Sequence, residues 1–337
     1  MRFIPSWHRG PARLAHACYS VVGMSGSGRK VLVTGGSGFL GSHLVRALLA
    51  RGEVVTVLDR SGRAPCEGAR VEAVDLLEAD LAALLAEGRY ERVFHLAGNV
   101  AVPFSVEHPD RDFALNAVAT VRLLEALRRA SPRTRLLLTS TAAVYGEAHE
   151  GPCAESQRPA PVAPYGASKW VAECYAELFA RQYGLATTRA RIFSMYGPGL
   201  RTQVVFDLIA KLQARPDRLE VLGDGQQVRD FLYVEDAVAA LLRIADRAAH
   251  EGEVINVASG TPVTIAELAR AVADACGLSP EIAFVGDEGP GRSKRWIADI
   301  TRLDALGDRS LVPLDEGLAR TVAWYRTDAS ARRVGRA

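Results

Sequence analysis

Lys30-Val31-Leu32-Val33-Thr34-Gly35-Gly36-Ser37-Gly38-Phe39-Leu40-Gly41 decides how this 337-residue chain folds. Its first five residues are a short apolar run stopped by glycines, the pattern of a buried strand. From Ser42 to Arg51 the apolar spacing turns helical. Between the two, Gly35, Gly38 and Gly41 make Gly-x-x-Gly-x-x-Gly, a dinucleotide fingerprint with one extra residue between its first two glycines. Without side chains in the way, backbone N–H groups can approach a pyrophosphate, and the start of the next helix favours the anion. Phe39 and Leu40 lie within the same loop and join the three glycines as candidate cofactor contacts. Residues 54–58 read as a second strand, with Asp59 at its end, 18 residues beyond Gly41. An acid there accepts both ribose hydroxyls and repels a 2′-phosphate, which favours NAD over NADP. Arg60 follows directly and could soften that preference.

Working outward, residues 70–74, 92–97 and 135–139 read as further strands. Helical patterns at 79–87 and 110–130 separate them. Strand and helix in strict alternation with short connections predict an α/β fold with a doubly wound parallel sheet, of Rossmann type. Asp75 and Leu76 at the end of the third strand are candidates for the adenine side, although an acid at a strand end is often only solvated. Leu96 and Ala97 at the end of the fourth, together with Tyr165 and Lys169 further on, complete the cofactor set.

Pro164-Tyr165-Gly166-Ala167-Ser168-Lys169 opens a long amphipathic helix that ends near Tyr183. Residues four apart share one helix face, so phenol and ammonium can aim at one spot. A free tyrosine has a pKa of about 10, so acting as a base at neutral pH requires about 4 kcal/mol of help. A lysine cation and a bound nicotinamide cation both favour phenolate and could supply it. A core tyrosine beside a surface lysine would give the same pattern, and Tyr-x-x-x-Lys alone decides nothing.

With these motifs in place, the chain resembles the extended short-chain dehydrogenase/reductase family, and within it the nucleotide-sugar epimerases and dehydratases. The resemblance is carried by Thr34 to Gly41, His95-Leu96-Ala97-Gly98, Val144-Tyr145-Gly146, Tyr165-x-x-x-Lys169 and Tyr196-Gly197-Pro198. Gly223 to Phe231 and Tyr233-Val234-x-Asp236 add a second block, so the likeness runs from about Lys30 to Tyr325. It implies a catalytic hydroxyl four residues before the tyrosine of Val-Tyr-Gly, which here is Thr141, on the loop after the fifth strand. Such a hydroxyl donates and accepts at once, and so can relay the sugar 4-OH proton toward Tyr165. Asn116 matches a family asparagine near the site.

The resemblance also narrows the chemistry. Dehydratase relatives carry Asp-Glu after the catalytic hydroxyl, and decarboxylating relatives keep a glutamate at the second place. This chain has Ala142 and Ala143, which cannot transfer protons. What remains is oxidation at C4 and hydride return, the chemistry of a 4-epimerase that keeps NAD bound. Arg229 matches the family's diphosphate-binding arginine, a guanidinium suited to phosphate geometry. Ser194 stands where relatives acting on neutral sugars carry asparagine, and Arg201 follows seven residues later. UDP-glucuronate 4-epimerases resemble this pairing, with the arginine gripping the C5 carboxylate, although Arg201 could equally be a solvated loop residue. A second diphosphate arginine is displaced in Gly289-Pro290-Gly291-Arg292-Ser293-Lys294-Arg295-Trp296, leaving Arg292 or Arg295 to act. A UDP-sugar is the implied substrate, with Ala142 lining its site. Alternatives are a 4-epimerase of neutral UDP-glucose type, a 4-ketosugar reductase that consumes its cofactor, and a non-catalytic dinucleotide sensor.

Composition agrees with a large α/β core plus a smaller lobe: 48% of residues are hydrophobic. A net charge of +2 with scattered basic residues gives no case for nucleic acid. Cys18, Cys66, Cys153, Cys174 and Cys276 lack metal-ligand spacing, so no metal is expected, and an odd count fits reduced thiols in cytoplasm. No apolar run reaches membrane-spanning length. Residues 1–28 read as a poorly ordered extension, for which a signal peptide or an alternative start at Met24 are both open. Residues 29–192 plus 229–259 are expected to form the cofactor domain. Residues 193–228 plus 260–326 form the sugar lobe, and 327–337 a tail. Helices 110–130 and 165–183 resemble those of a four-helix dimer interface in relatives, which implies a homodimer.

Overall fold

The computed structural model describes residues 28–147, 151–286 and 295–328. Its first part alternates: β1 (Lys30–Thr34), α1 (Phe39–Ala50), β2 (Val54–Asp59), β3 (Arg70–Ala73), α2 (Leu81–Gly88), β4 (Arg92–His95), α3 (Val102–Glu107), α4 (Pro109–Phe113), α5 (Ala119–Ala130), β5 (Arg135–Thr141), α6 (Pro164–Tyr183) and β6 (Thr187–Ile192). There follow β7 (Ser194–Tyr196), α7 (Gln203–Ala214), β8 (Arg218–Leu222), β9 (Val228–Tyr233), α8 (Val234–Arg247), β10 (Glu251–Val257) and β11 (Pro262–Thr264). The described chain closes with α9 (Ile265–Cys276), β12 (Glu281–Val285), β13 (Arg295–Trp296), α10 (Thr301–Asp304) and α11 (Leu314–Thr327).

Seven strands form one parallel sheet in the order β10-β6-β5-β4-β1-β2-β3. One face carries α1 and α8, whose Leu44, Leu48, Val238 and Leu241 share a core with Val31, Val33 and Val57. The other face carries α2, α5 and α6, with Leu85, Leu123, Leu127 and Ala172 packed on Leu32 and Leu136. Strands covered on both sides read as continuous apolar runs, as β1 does. The chain leaves β1 toward β2 on one side and later returns to β4 on the other. That reversal opens a crevice at the carboxyl ends of the strands, where doubly wound folds bind ligands.

Several boundaries depart from expectation. α1 begins at Phe39 rather than Ser42, because Gly38 is its N-cap and Gly41 already lies in its first turn. β3 stops at Ala73 and β4 at His95, so Asp75, Leu76, Leu96 and Ala97 follow their strands. Asp75 closes its own turn by accepting from Leu77 N at 2.9 Å, and Ala97 N bonds to the Thr34 hydroxyl at 3.3 Å instead of extending the ladder. β5 runs on to Thr141, which pairs with Ile192, so the candidate hydroxyl ends a strand rather than standing on a loop. The single helix predicted over 110–130 is broken: α4 gives way to a π-helical turn at Ala114–Val118 before α5 begins.

In the second sheet β9 pairs with β11 antiparallel and with β7 and β13 parallel, while β8 and β12 pair separately. α7, α9 and α11 pack around it through Phe206, Leu268, Leu318 and Tyr325. No described helix is long and apolar enough to cross a membrane. Residues 1–27, and with them nearly all of the expected extension, lie outside the described residues, as does Arg292.

Candidate active site

The glycine loop leaves no room for side chains. Gly35 has φ +72°, and a Cβ there would lie 2.7 Å from Ala97 N; one on Gly41 would lie 2.3 Å from Gly35 O. Gly38 caps α1 with no side-chain bond, and the first N–H groups of a helix have no intrahelical acceptor. This cradle fits a pyrophosphate. Asp59, at the carboxyl end of β2, accepts from Ser37 N at 3.2 Å and from Ser61 N and Oγ at 2.9 and 2.7 Å. Ionised carboxylate oxygens offer about four acceptor sites, so capacity for ribose hydroxyls remains. Arg60 beside it is exposed. Phe39 stacks edge-on against His43, and Leu40 packs on the core. Leu76 is buried with the α2–α5 core and its carbonyl accepts from Arg122 Nε at 3.0 Å, which leaves its backbone N–H for any cofactor contact. Leu96 and Ala97 are half-buried beside Gly35.

The start of α6 abuts the 3₁₀ turn Ala142–Tyr145 because Gly166 allows it: a Cβ there would stand 2.6 Å from Ala143 O. Pro164 supplies the preset φ of a helix start. Thr141 caps that 3₁₀ turn by accepting from Ala143 N at 3.2 Å, and its hydroxyl lies near enough to the Tyr165 phenol to favour the phenolate. Burial pushes the Tyr165 pKa up, the Thr141 hydroxyl draws it down, and the Asp112 charge pushes it up again. The protein's own groups thus hold the phenol above its ordinary value, and Lys169 does not by itself produce the shift that the Tyr-x-x-x-Lys spacing predicts. Lys169 is buried on the same helix. Burial pushes its ammonium down to about 8, against the raising charges of Glu173 and Asp112.

His95 ends β4 directly below. Thr120 gives its hydroxyl proton to Asn116 O at 2.6 Å, so His95 Nε2–H donates to Thr120 at 3.0 Å and Nδ1 accepts from Thr34 at 2.6 Å. Burial, then the Lys169 charge, lower its pKa to about 3. It is a neutral structural link between the glycine loop and the π-turn.

On the sugar side, Ala142 is buried and Ala143 half-buried beside Thr141. Ser194 opens β7, paired with Phe231 of β9. Arg201 is half-exposed, donates to Asp328 at 3.0 Å and lies 5.9 Å from the Trp324 ring, contacts that draw it to the end of α11. Gln203, two residues on, has φ +70°, a strained backbone for a side-chain-bearing residue. Arg229 donates to Val228 O and Gln227 Oε1, both at 2.9 Å, with its guanidinium 5.1 Å from the Trp296 ring centre.

Two buried networks reach beyond the motifs, which mark only Tyr145, Gly146 and Asn116 among their members. In one, Arg191 of β6 grips Glu173 of α6 through Nε at 3.0 Å and Nη2 at 2.7 Å, with its guanidinium 4.8 Å from the Tyr145 ring centre. Tyr145 donates to Asn256 Oδ1 at 2.7 Å, and Asn256 Nδ2 donates to Cys153 O at 2.7 Å and Asp299 O at 2.9 Å. Trp296 Nε1 donates to Gly146 O at 3.0 Å. In the other, Asp112 accepts from Asn99 and Asn116 Nδ2 at 2.7 and 3.0 Å and from Ser168 Oγ at 2.6 Å. The available signals were polar residues at inward helical positions: Asp112 and Asn116 four apart, and Glu173 four beyond Lys169. Among the described residues no cluster of His, Cys, Asp or Glu suits a metal ion, and Cys66, Cys153, Cys174 and Cys276 are free thiols.

A hydroxyl beside a phenol at the carboxyl end of β5, on the same edge of the sheet as a glycine loop shaped for a pyrophosphate, is an arrangement that suits a dinucleotide-dependent enzyme. The chain belongs to the NAD dependent epimerase/dehydratase family, whose profile matches residues 31–258. It is 36% identical over 312 residues to a UDP-glucose 4-epimerase of Mycolicibacterium smegmatis, covering 88% of this chain and 98% of that one. Among solved structures it is similar to a UDP-N-acetylglucosamine 4-epimerase of Methanobrevibacter ruminantium in complex with UDP-N-acetylmuramic acid, at 33% identity and TM-score 0.82 over 90% of this chain and 99% of that one. It is also similar to a UDP-glucuronic acid 4-epimerase of Bacillus cereus in complex with UDP-glucuronic acid and NAD, at 28% identity and TM-score 0.79 over 88% and 98%. NAD is the cofactor of this nucleotide-sugar family.

Proposed function

We propose that this chain is a nucleotide-sugar 4-epimerase acting on UDP-glucuronate and its galacto epimer. The observation that carries the reaction type is Ala142-Ala143 at the Thr141–Tyr165 pair. Methyl groups cannot remove or deliver protons at C5 and C6, so the site is equipped for chemistry at C4 alone. NAD, when bound, would supply the acceptor for a hydride from C4 and the donor for its return. Gly35, Gly38 and Gly41 would hold its pyrophosphate and Asp59 its ribose, and the Lys169 ammonium favours the phenolate form of Tyr165. Tyr165 takes the 4-OH proton through Thr141, whose hydroxyl then donates to the ketone oxygen, and the same pair restores the proton after inversion. Arg229 holds the diphosphate while the sugar turns.

The uronate reading rests on Ser194, a small residue that leaves room, and on Arg201, a half-exposed guanidinium suited to a bidentate carboxylate contact. The name of the Bacillus cereus relative supports it. The Arg201–Asp328 ion pair favours a second reading, a neutral hexose, because it satisfies the arginine within the protein. Purified protein is incubated separately with UDP-glucuronate and UDP-glucose and the products resolved by chromatography. Interconversion of the uronates is the expected result, and turnover of the neutral sugar alone would overturn the uronate assignment.

A further inference from the structure

Asp112 and Lys169 are both buried, and neither has the partner its charge requires. A buried carboxylate is costly unless it is hydrogen-bonded and matched by a cation. Asp112 has the hydrogen bonds, from Asn99, Asn116 and Ser168, but every donor is neutral. Asn116 turns both Nδ2 hydrogens to this cluster, one to Asp112 and one to Ser168, and leaves its own Oδ1 buried without a partner. Lys169, in turn, makes no ion pair with any described carboxylate, and Glu173, the acid one turn below it, is already held by Arg191.

From this arrangement we infer that Asp112 is a positioning residue, a fixed counter-charge that adds to that of Glu173 and keeps the Lys169 ammonium buried and protonated while leaving its three N–H donors free. A direct salt bridge would occupy those donors; a carboxylate held back by two asparagines and a serine balances the charge without touching them. The inference rests on the catalytic reading of Tyr165 and Lys169 given above. Asp112 also acts on Tyr165, whose ionisation its charge opposes, so one carboxylate holds the protons of both groups. The remaining charged or titratable groups around this pair are His95 from β4, held neutral, Tyr145 from the 3₁₀ turn, and Arg191 bound to Glu173. On α3 and α4, Glu107, Asp110 and Arg111 are exposed, and His108 is half-buried.

The test is Asp112→Asn in the full chain with NAD bound, which keeps the shape and removes the charge. Removing a nearby negative charge makes both neighbours more acidic. Both limbs of the pH–rate profile are therefore expected to move to lower pH, by on the order of one pH unit. The ultraviolet phenolate titration of Tyr165, obtained by subtracting a Tyr165→Phe control, moves the same way and needs no substrate. It therefore stands even if the proposed sugar is wrong. In thermal unfolding at pH 7, Asp112→Asn lowers the midpoint in the Lys169 protein and lowers it less, or raises it, in a Lys169→Met background. Unmoved limbs and phenolate titration, with the same loss of midpoint in both backgrounds, would show that Asp112 only ties helices together and overturn the inference. Should Asp112→Asn fail to fold, recovery of folding in Asp112→Asn/Lys169→Met supports the coupling, and failure of the double variant too refutes it.

Discussion

In the mechanism proposed above, Tyr165 loses a proton that its surroundings hold in place, so its help must come from what binds beside it. Tyr165→Phe is expected to leave the fold and NAD binding unchanged and to lower kcat by about 10²–10⁴-fold, the range for a lost general acid–base; steady-state rates and calorimetric NAD titration check both halves. Lys169 sets a second expectation. Its pKa falls from 10.5 to about 8 on folding, so between those values the unfolded chain holds a proton that the native state has lost. Stability contributed through Lys169 therefore rises with pH across that window. Melting midpoints from pH 7.5 to 10.5 should show this rise in the parent and not in Lys169→Gln. Tyr165, Lys169 and Thr141 were legible because family motifs mark them. Asp112 was not: an acid within an amphipathic stretch reads as a solvated side chain, and only the packing of α4 on α6 shows that it points inward.

At the scale of elements, α6 is the helix that everything else must locate. Gly166 sets its start, Ser168 ties it to α4, and the Glu173–Arg191 pair ties it to β6. Arg191→Met is expected to cost about 3–5 kcal/mol in urea unfolding, because it leaves Glu173 buried and uncompensated. Replacing both as Arg191→Met and Glu173→Leu should recover most of that loss. The strands of the large sheet were readable because burial on both faces makes them apolar runs. The break at Ala114–Val118 was not readable, since a π-turn inserts no glycine or proline and leaves apolar residues at roughly helical spacing. The ends of β3, β4 and β5 shifted for a similar reason: the bonds that Asp75 accepts from Leu77 N and Thr34 from Ala97 N follow the ends of β3 and β4, and pairing with Ile192 carries β5 on to Thr141, none of which residue type announces.

Across the whole molecule, one surface feature asks for a partner. Phe113, Val118, Tyr175, Leu178 and Tyr183 are exposed on α4, the π-turn and α6, large apolar side chains that a lone subunit would leave in water. We propose that a second copy of the chain covers them. Light scattering is expected to give the mass of a dimer, and Leu178→Asp to halve it while the far-ultraviolet circular dichroism stays unchanged. A last consequence follows from the bonds that Asn256 and Trp296 make to Tyr145, Cys153, Asp299 and Gly146. These bonds stitch the wall that carries Thr141 to segments arriving from the far end of the chain. That wall is thus braced like a door frame, and the proposed reaction asks only the guest to swivel, not the jambs.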